Sequence, residues 1–158
     1  MNTPADREGF EVRIVPYEKR HAAGFRALVV DTLREFGFEP DPEFDPDLDE
    51  PERSYAALWI AELDGEVVGS VALRELGGRA LELKRMYLRP AQRGRGLGKR
   101  LLTTAVDLAR ARGAVVIRLD TSERMATAQA LYEAYGFHRV PGEAPRQGQS
   151  RLLYELRL

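Results

Sequence analysis

The sequence predicts a single α/β domain, a mixed β-sheet flanked by helices. Three observations carry that prediction. The chain has 158 residues, 44% of them hydrophobic, enough for one sizeable core and short for two. Between residues 55 and 88, three strand-like runs follow one another through tight turns. From 97 onward, helix-like and strand-like runs alternate, which sets helices against the faces of the same sheet.

Taken in order, "EVRIVP" (11–16) alternates apolar and polar residues and reads as a strand. From about Glu18 to Gly37, Phe25, Leu28, Val29, Thr32, Leu33 and Phe36 recur at intervals of three and four, so one face of a long helix is buried. "YAALWIAEL" and "EVVGSVALREL" are strands joined at Asp64-Gly65, a pair that accepts the positive φ angles of a type I′ turn. Gly77-Gly78 makes the next turn, into "ALELKRMYL" (80–88), which Pro90 ends. Leu97, Leu101, Leu102, Ala105, Leu108 and Ala109 form the stripe of a second helix, closed by Gly113. "AVVIRL" (114–119) is almost continuously apolar, as in a strand buried on both faces. Asp120, Thr121 or Ser122 is expected to cap a further helix that Gly136 stops, and "FHRV" and "SRLLYELRL" are the closing strands. One domain over residues 1–158 is expected, with 1–10 flexible.

Composition excludes several chemistries. There is no cysteine, hence no disulfide, thiolate nucleophile or cysteine metal site. His21 and His138 stand far apart without a carboxylate at ligand spacing, so no metal is expected and each histidine reads as a surface or partly packed residue. The N-terminal "MNTPADREGF" is polar and no apolar run approaches the ~18 residues of a membrane span; no membrane association and a cytoplasmic location are the expectations. The net charge of −1 conceals a division: residues 39–52, "EPDPEFDPDLDEPE", hold eight of the 25 acids and four of the nine prolines with no base, leaving 24 basic against 17 acidic residues elsewhere. Such a stretch reads either as a solvated loop or as an attractor for a cationic ligand.

The segment "RPAQRGRGLGKRLL" (89–102) sets five positive charges and three glycines between a strand and a helix. Gly94, Gly96 and Gly98 are spaced by two throughout, which fits neither the G-x-G-x-x-G dinucleotide fingerprint nor a Walker loop. It leads straight into an amphipathic helix, unlike a repetitive Arg-Gly segment that binds RNA. What remains is a loop whose bare N–H groups, together with a helix N-terminus, face a phosphate group, with Arg93, Arg95 and Lys99 adding charge. Near-zero net charge, the acidic stretch and the absence of aromatic residues interleaved with the basic cluster argue against nucleic acid as partner.

These residues resemble the GNAT superfamily of acyl-CoA-dependent N-acetyltransferases, from about residue 11 to the C-terminus. "LRPAQRGRGLGKRLL" is similar to the family's central motif, with Arg93, Gly96 and Gly98 at its defining positions; "ATAQALYEAYGF" (126–137) resembles the later helix. Met125 is a departure, since many members carry Asn three positions before the residue matched by Ala128. The resemblance implies a mostly antiparallel sheet of six to seven strands with about four helices, in which the strands at 80–88 and 114–119 run parallel and splay at a bulge. It implies acetyl-CoA as acyl donor, its pantetheine arm lying against Met86, Tyr87, Leu88 and Ala128 as a pseudo-strand. The pyrophosphate would rest on the N–H groups of residues 93–98, with Gly94, Arg95, Leu97 and Lys99 completing the cradle.

A primary amine, protonated at neutral pH, must lose a proton before it attacks a thioester. Glu82 is the candidate base, acting through water; its other reading is a strand carboxylate paired with Arg85 or another cation. Tyr132 occupies the family's general-acid position, where it would protonate the departing thiolate; its other reading is packing, and Tyr135 is the alternative acid. The expected reaction is direct acetyl transfer in a ternary complex to a primary amine, a cationic one if the acidic stretch draws it in. The alternative is an acyl-CoA-binding sensor or scaffold without turnover. The resemblance also admits a homodimer.

Overall fold

The computed structural model describes residues 11–142, 148 and 150–158; the expected flexibility of 1–10 lies outside them. Seven strands form one sheet: β1 (Arg13–Pro16), β2 (Ala57–Leu63), β3 (Glu66–Gly77), β4 (Ala80–Leu88), β5 (Val116–Ser122), β6 (His138–Val140) and β7 (Arg151–Arg157). Their spatial order is β1-β2-β3-β4-β5-β7-β6. Every neighbouring pair is antiparallel except β4 and β5. Four α-helices accompany them: α1 (Ala22–Glu35), the single turn α2 (Pro51–Ser54), α3 (Leu97–Ala111) and α4 (Ala126–Tyr135).

Apolar periodicity divides the core between the two faces. Phe25, Val29 and Leu33 of α1 meet Leu58, Ile60 and Ala72 on one side. Leu101, Leu102, Ala105 and Val106 of α3 meet Val71, Leu81, Leu83 and Ile117 on the other. Burying a leucine of this kind stabilises the fold by about 2 kcal/mol. The β2–β3 turn has φ of +50° at Asp64 and +80° at Gly65, as the Asp-Gly pair predicts.

Three expectations need correction. Asp120, Thr121 and Ser122 continue β5 instead of capping α4, because each pairs with β7 (Leu153, Leu152 and Arg151). The helix follows a turn in which the Met125 N–H donates to Ser122 O at 3.0 Å. His21 is fully buried: its Nδ1 accepts from the Glu18 N–H at 2.9 Å, which makes Nε2 the donor to Glu62 Oε1 at 2.8 Å. The acidic stretch is neither a solvated loop throughout nor uniformly turned outward, since Asp45 and Asp47 are buried.

Candidate active site

The site begins with a slip of phase in β4. Leu81 and Leu83 face the α3 side, and a period of two would send residue 85 after them. Instead Arg85 has φ of +52°, and Met86 and Leu88 take up the α3 side. One residue has been inserted: against β3, Ser70 opposes Tyr87 while Ala72 opposes Lys84. Parallel pairing with β5 covers only Ala80, Leu81 and Glu82, opposite Val116, Ile117 and Arg118. Beyond it the two strands part.

Two buried contacts hold the bulge. Ser70 Oγ donates to the Arg85 carbonyl at 2.6 Å. In a trans peptide the C=O and the following N–H point opposite ways, so a carbonyl turned toward β3 directs the Met86 N–H into the gap. The Arg89 N–H donates to Val68 O on β3, and alternation then turns the Leu88 N–H to the gap as well. The second contact is the Arg85 side chain. Its Nε and Nη2 donate to Asp47 at 2.8 and 2.7 Å, and Nη2 donates to Asp45 at 2.7 Å. The Tyr55 hydroxyl donates to the same Asp47 carboxylate. Burial alone would raise the Asp47 pKa, yet the Arg85 guanidinium and the Tyr55 hydroxyl hold it below the ordinary range. Burial would lower that of Arg85, and hydrogen bonding and charge from Asp47 push it up.

Past Pro90 the chain turns into α3. Gly94 and Gly96 have φ of +76° and +81°, and a side chain on either would meet nothing within 4 Å; glycine serves the backbone conformation there. The helical ladder opens with the Arg100 N–H on Gly96 O at 3.2 Å, so the amides of Gly96, Leu97, Gly98 and Lys99 are the four that a helix start leaves free. At Gly98 the reason is close packing, because a Cβ would stand 3.0 Å from Leu131 and its absence lets α3 and α4 approach. Arg95 and Lys99 are exposed with no ion-pair partner among the described residues. Arg93 is committed elsewhere. Its N–H donates to Pro90 O at 3.2 Å, its guanidinium grips Glu35 at 2.6 and 2.8 Å and the Leu88 carbonyl at 3.0 and 3.1 Å, and it lies over the Phe36 ring. The amides facing the loop therefore begin at Gly94.

Two cavities open at the splay. One, of about 220 Å³, is walled by Leu88, Arg93, Gly98, Ala128 and Leu131. The other, of about 350 Å³, is walled by Phe44, Lys84, Arg85, Asp120 and Arg151. They share Met86, Tyr87 and Met125. Met125 occupies the departure from the motif with an apolar side chain whose Sδ lies 3.7 Å from Thr121 Oγ1.

Tyr132 lies on α4, 5% exposed, its ring against Phe137 and Tyr154 with centroids 5.7 and 6.2 Å away. No described group accepts its proton. Burial pushes its pKa up, with Tyr87 and Asp120 adding to the effect against Arg151, so the hydroxyl stays protonated at neutral pH. The ring of Tyr135 packs on Phe137, 6.4 Å between centroids. Glu82 lies where β4 and β5 still pair and walls neither cavity. Arg74 stands 2.8 Å from its Oε1 and Lys84 3.7 Å; these are ion contacts off hydrogen-bond geometry, since that oxygen lacks a hydrogen-bond partner. Its cationic neighbours are thus Arg74 and Lys84, while Arg85 turns to the aspartates.

Sequence reasoning missed Ser70, Asp45, Asp47, Tyr55 and Arg151 as site residues, and took Asp120 for a cap. The phase slip in "LELKRMYL", where two adjacent cations interrupt the alternation, was a legible sign of the bulge. Among the described residues no group of three or more histidines and carboxylates is placed to hold a metal ion. No helix among them is long and apolar enough to cross a membrane.

A sheet held open beside a ring of free amides is suited to a long, phosphorylated thioester, and so to an acyltransferase that uses one. The chain belongs to the Acetyltransferase (GNAT) family, whose sequence profile matches residues 25–137. It is 38% identical over 116 residues to the uncharacterized N-acetyltransferase YjgM of Escherichia coli K12, covering 67% of this chain and 70% of that one. A GNAT-family acetyltransferase from Staphylococcus aureus Mu50 shares the fold with a TM-score of 0.84, at 22% identity over 93% of this chain and 99% of the other. The protein yncA of Salmonella typhimurium, whose structure includes acetyl-CoA, has a TM-score of 0.76 at 21% identity, covering 92% and 93%. The chain is accordingly an acyltransferase, of a family that uses acetyl-CoA.

Proposed function

We propose that this enzyme transfers the acetyl group of acetyl-CoA to a primary amine by direct attack in a ternary complex. The observation that carries the proposal is the meeting of two cavities at Met86, Tyr87 and Met125, where β4 leaves β5. The 220 Å³ cavity, with Ala128 on its wall, suits the pantetheine arm, and the amides of Gly94 to Lys99 suit the pyrophosphate. Arg93 shapes the floor of that groove by holding the Leu88 carbonyl. Arg95 and Lys99 supply exposed positive charge beside those amides in the chain.

The Met86 N–H orients the thioester carbonyl and stabilises charge on its oxygen, an effect worth on the order of 3 kcal/mol of barrier. The amine enters from the 350 Å³ cavity, and Glu82 takes its proton through water. As the new N–C bond forms and the C–S bond breaks, the Tyr132 hydroxyl gives its proton to the sulfur, and the second proton leaving the amine nitrogen returns through water to the tyrosinate. The raised pKa of that hydroxyl keeps the proton available. The enzyme is taken to act in the cytoplasm, which fractionation of expressing cells would check.

Calorimetry with acetyl-CoA followed by thiol release over a panel of amines tests the reading. Saturable binding and amine-dependent release support it. Tight binding with no release across the panel would leave an acyl-CoA sensor or scaffold in its place.

A further inference from the structure

We propose that the acceptor carries a carboxylate besides its amine, and that Arg151, with Lys84 beside it, binds that carboxylate. The proposal rests on the amine-acetylation reading above and names the class of acceptor: small amino acids and related amino acid-like amines.

Among the described residues, the walls of the 350 Å³ cavity include three cations, Lys84, Arg85 and Arg151, against one carboxylate, Asp120. Arg85 is saturated from behind by Asp45 and Asp47. Arg151 is not. Its Nε donates to Asp120 Oδ2 at 2.5 Å and its Nη2 to the Asp120 carbonyl at 3.3 Å, while Nη1 has no partner among the described residues. Its side chain is 14% exposed and lies over the Phe38 ring, 5.8 Å from the centroid. A planar fork pinned along one edge and stacked on one face presents its remaining donors in a fixed direction, which is how guanidinium groups recognise carboxylates. Among the described residues Lys84 has only Glu82 within reach, at 3.7 Å, and it is partly open to the cavity.

The acidic stretch does not oppose this field. Phe44 is its only residue on the cavity wall. Asp45 and Asp47 neutralise Arg85, and Glu39, Asp49 and Glu50 are paired at the exterior with Arg34, Arg26 and Arg53. A polycation drawn toward the stretch would therefore meet Lys84 and Arg151 at the cavity itself. The volume is at the small end for ligand sites, which suits a compact acceptor.

The test measures thiol release from acetyl-CoA with a panel of amino acids, each beside its own carboxamide. The carboxamide has the more readily deprotonated amine, so amine basicity cannot produce a preference for the acid. The expected result is a kcat/KM for the best acid on the order of tenfold or more above that of its carboxamide, carried in KM. Arg151→Gln and Lys84→Met each shrink that ratio, Arg151→Lys retains part of it, and acetyl-CoA affinity by calorimetry stays within about twofold. Should Arg151→Gln fail to fold, Lys84→Met and Arg151→Lys decide the matter. Wild-type enzyme that acetylates amines but treats acids and carboxamides alike, or prefers polyamines, overturns the proposal and leaves amine acetylation standing. Failure to bind acetyl-CoA at all brings down both, and is seen before any acceptor is added.

Discussion

Replacing Arg85 with methionine probes whether the bulge depends on the buried ion cluster. Arg85 is 6% exposed, and its side chain makes three hydrogen bonds of 2.7–2.8 Å to Asp45 and Asp47. Removing one partner of such a cluster leaves uncompensated buried charge and costs about 3–5 kcal/mol. For a chain of this length, each kcal/mol lowers Tm by roughly 2–4 °C, so Arg85→Met should melt about 6–20 °C below wild type at pH 7. The pH dependence has a definite sign. The folded Asp47 pKa lies below its ordinary value, so the stability it contributes is present above the unfolded value of about 3.9 and is lost as pH falls through the folded value. In Arg85→Met Asp47 is buried without the guanidinium that holds its pKa down, that pKa rises, and the deficit grows as pH climbs from about 4 to 7. Adding Asp45→Asn and Asp47→Asn should recover much of the loss, because replacing a whole buried cluster with neutral groups is often close to neutral. Thermal unfolding followed by circular dichroism from pH 4 to 8 reads all of this. A drop under about 3 °C at pH 7, or a deficit that widens toward acid, would refute the reasoning.

Tyr132→Phe should lower kcat by about a hundredfold or more while changing stability little, since no described group accepts from its hydroxyl; steady-state kinetics beside a melting curve separates the two. Glu82→Gln should lower kcat while leaving acetyl-CoA affinity by calorimetry unchanged, and an unchanged kcat would take the base role from it. Gly96→Ala places a Cβ in open space at φ of +81°, costing roughly 1–2 kcal/mol in backbone strain and weakening acetyl-CoA binding by calorimetry. Glu62 has its pKa lowered to about 2 by hydrogen bonds from Arg20 and His21. That contribution is present above the unfolded value of about 4.3 and is lost as pH falls through about 2, so Glu62→Gln should flatten the acid limb of a Tm-against-pH curve.

Local signals foretold most of the fold. The β4 boundaries, the Asp64-Gly65 turn, the α3 stripe and the stop at Gly136 each follow from residues within a few positions of one another. The α4 cap was misplaced because pairing of 120–122 with β7 is a contact across some 30 residues, and such tertiary pairing overrides a capping preference. In the site, Gly94, Gly96 and the helix start were readable because glycine spacing reports on backbone geometry. Arg85 was not, since its partners Asp45 and Asp47 lie 40 and 38 residues away and a prolyl, acidic run reads as solvated by composition alone. Arg93 shows a long-range partner of the same kind. Its motif position points to the cofactor groove, whose wall it joins, while Glu35, 58 residues earlier, holds its guanidinium.

Amide resonances of the isotope-labelled chain, followed during titration with acetyl-CoA, examine the open strand pair and the free helix start together. The largest shifts should fall on Gly96, Leu97, Gly98 and Lys99 at the loop and on Met86 and Leu88 at the gap, saturating with one curve. Shifts confined to other parts of the sheet, with those six amides unmoved at saturation, would contradict it.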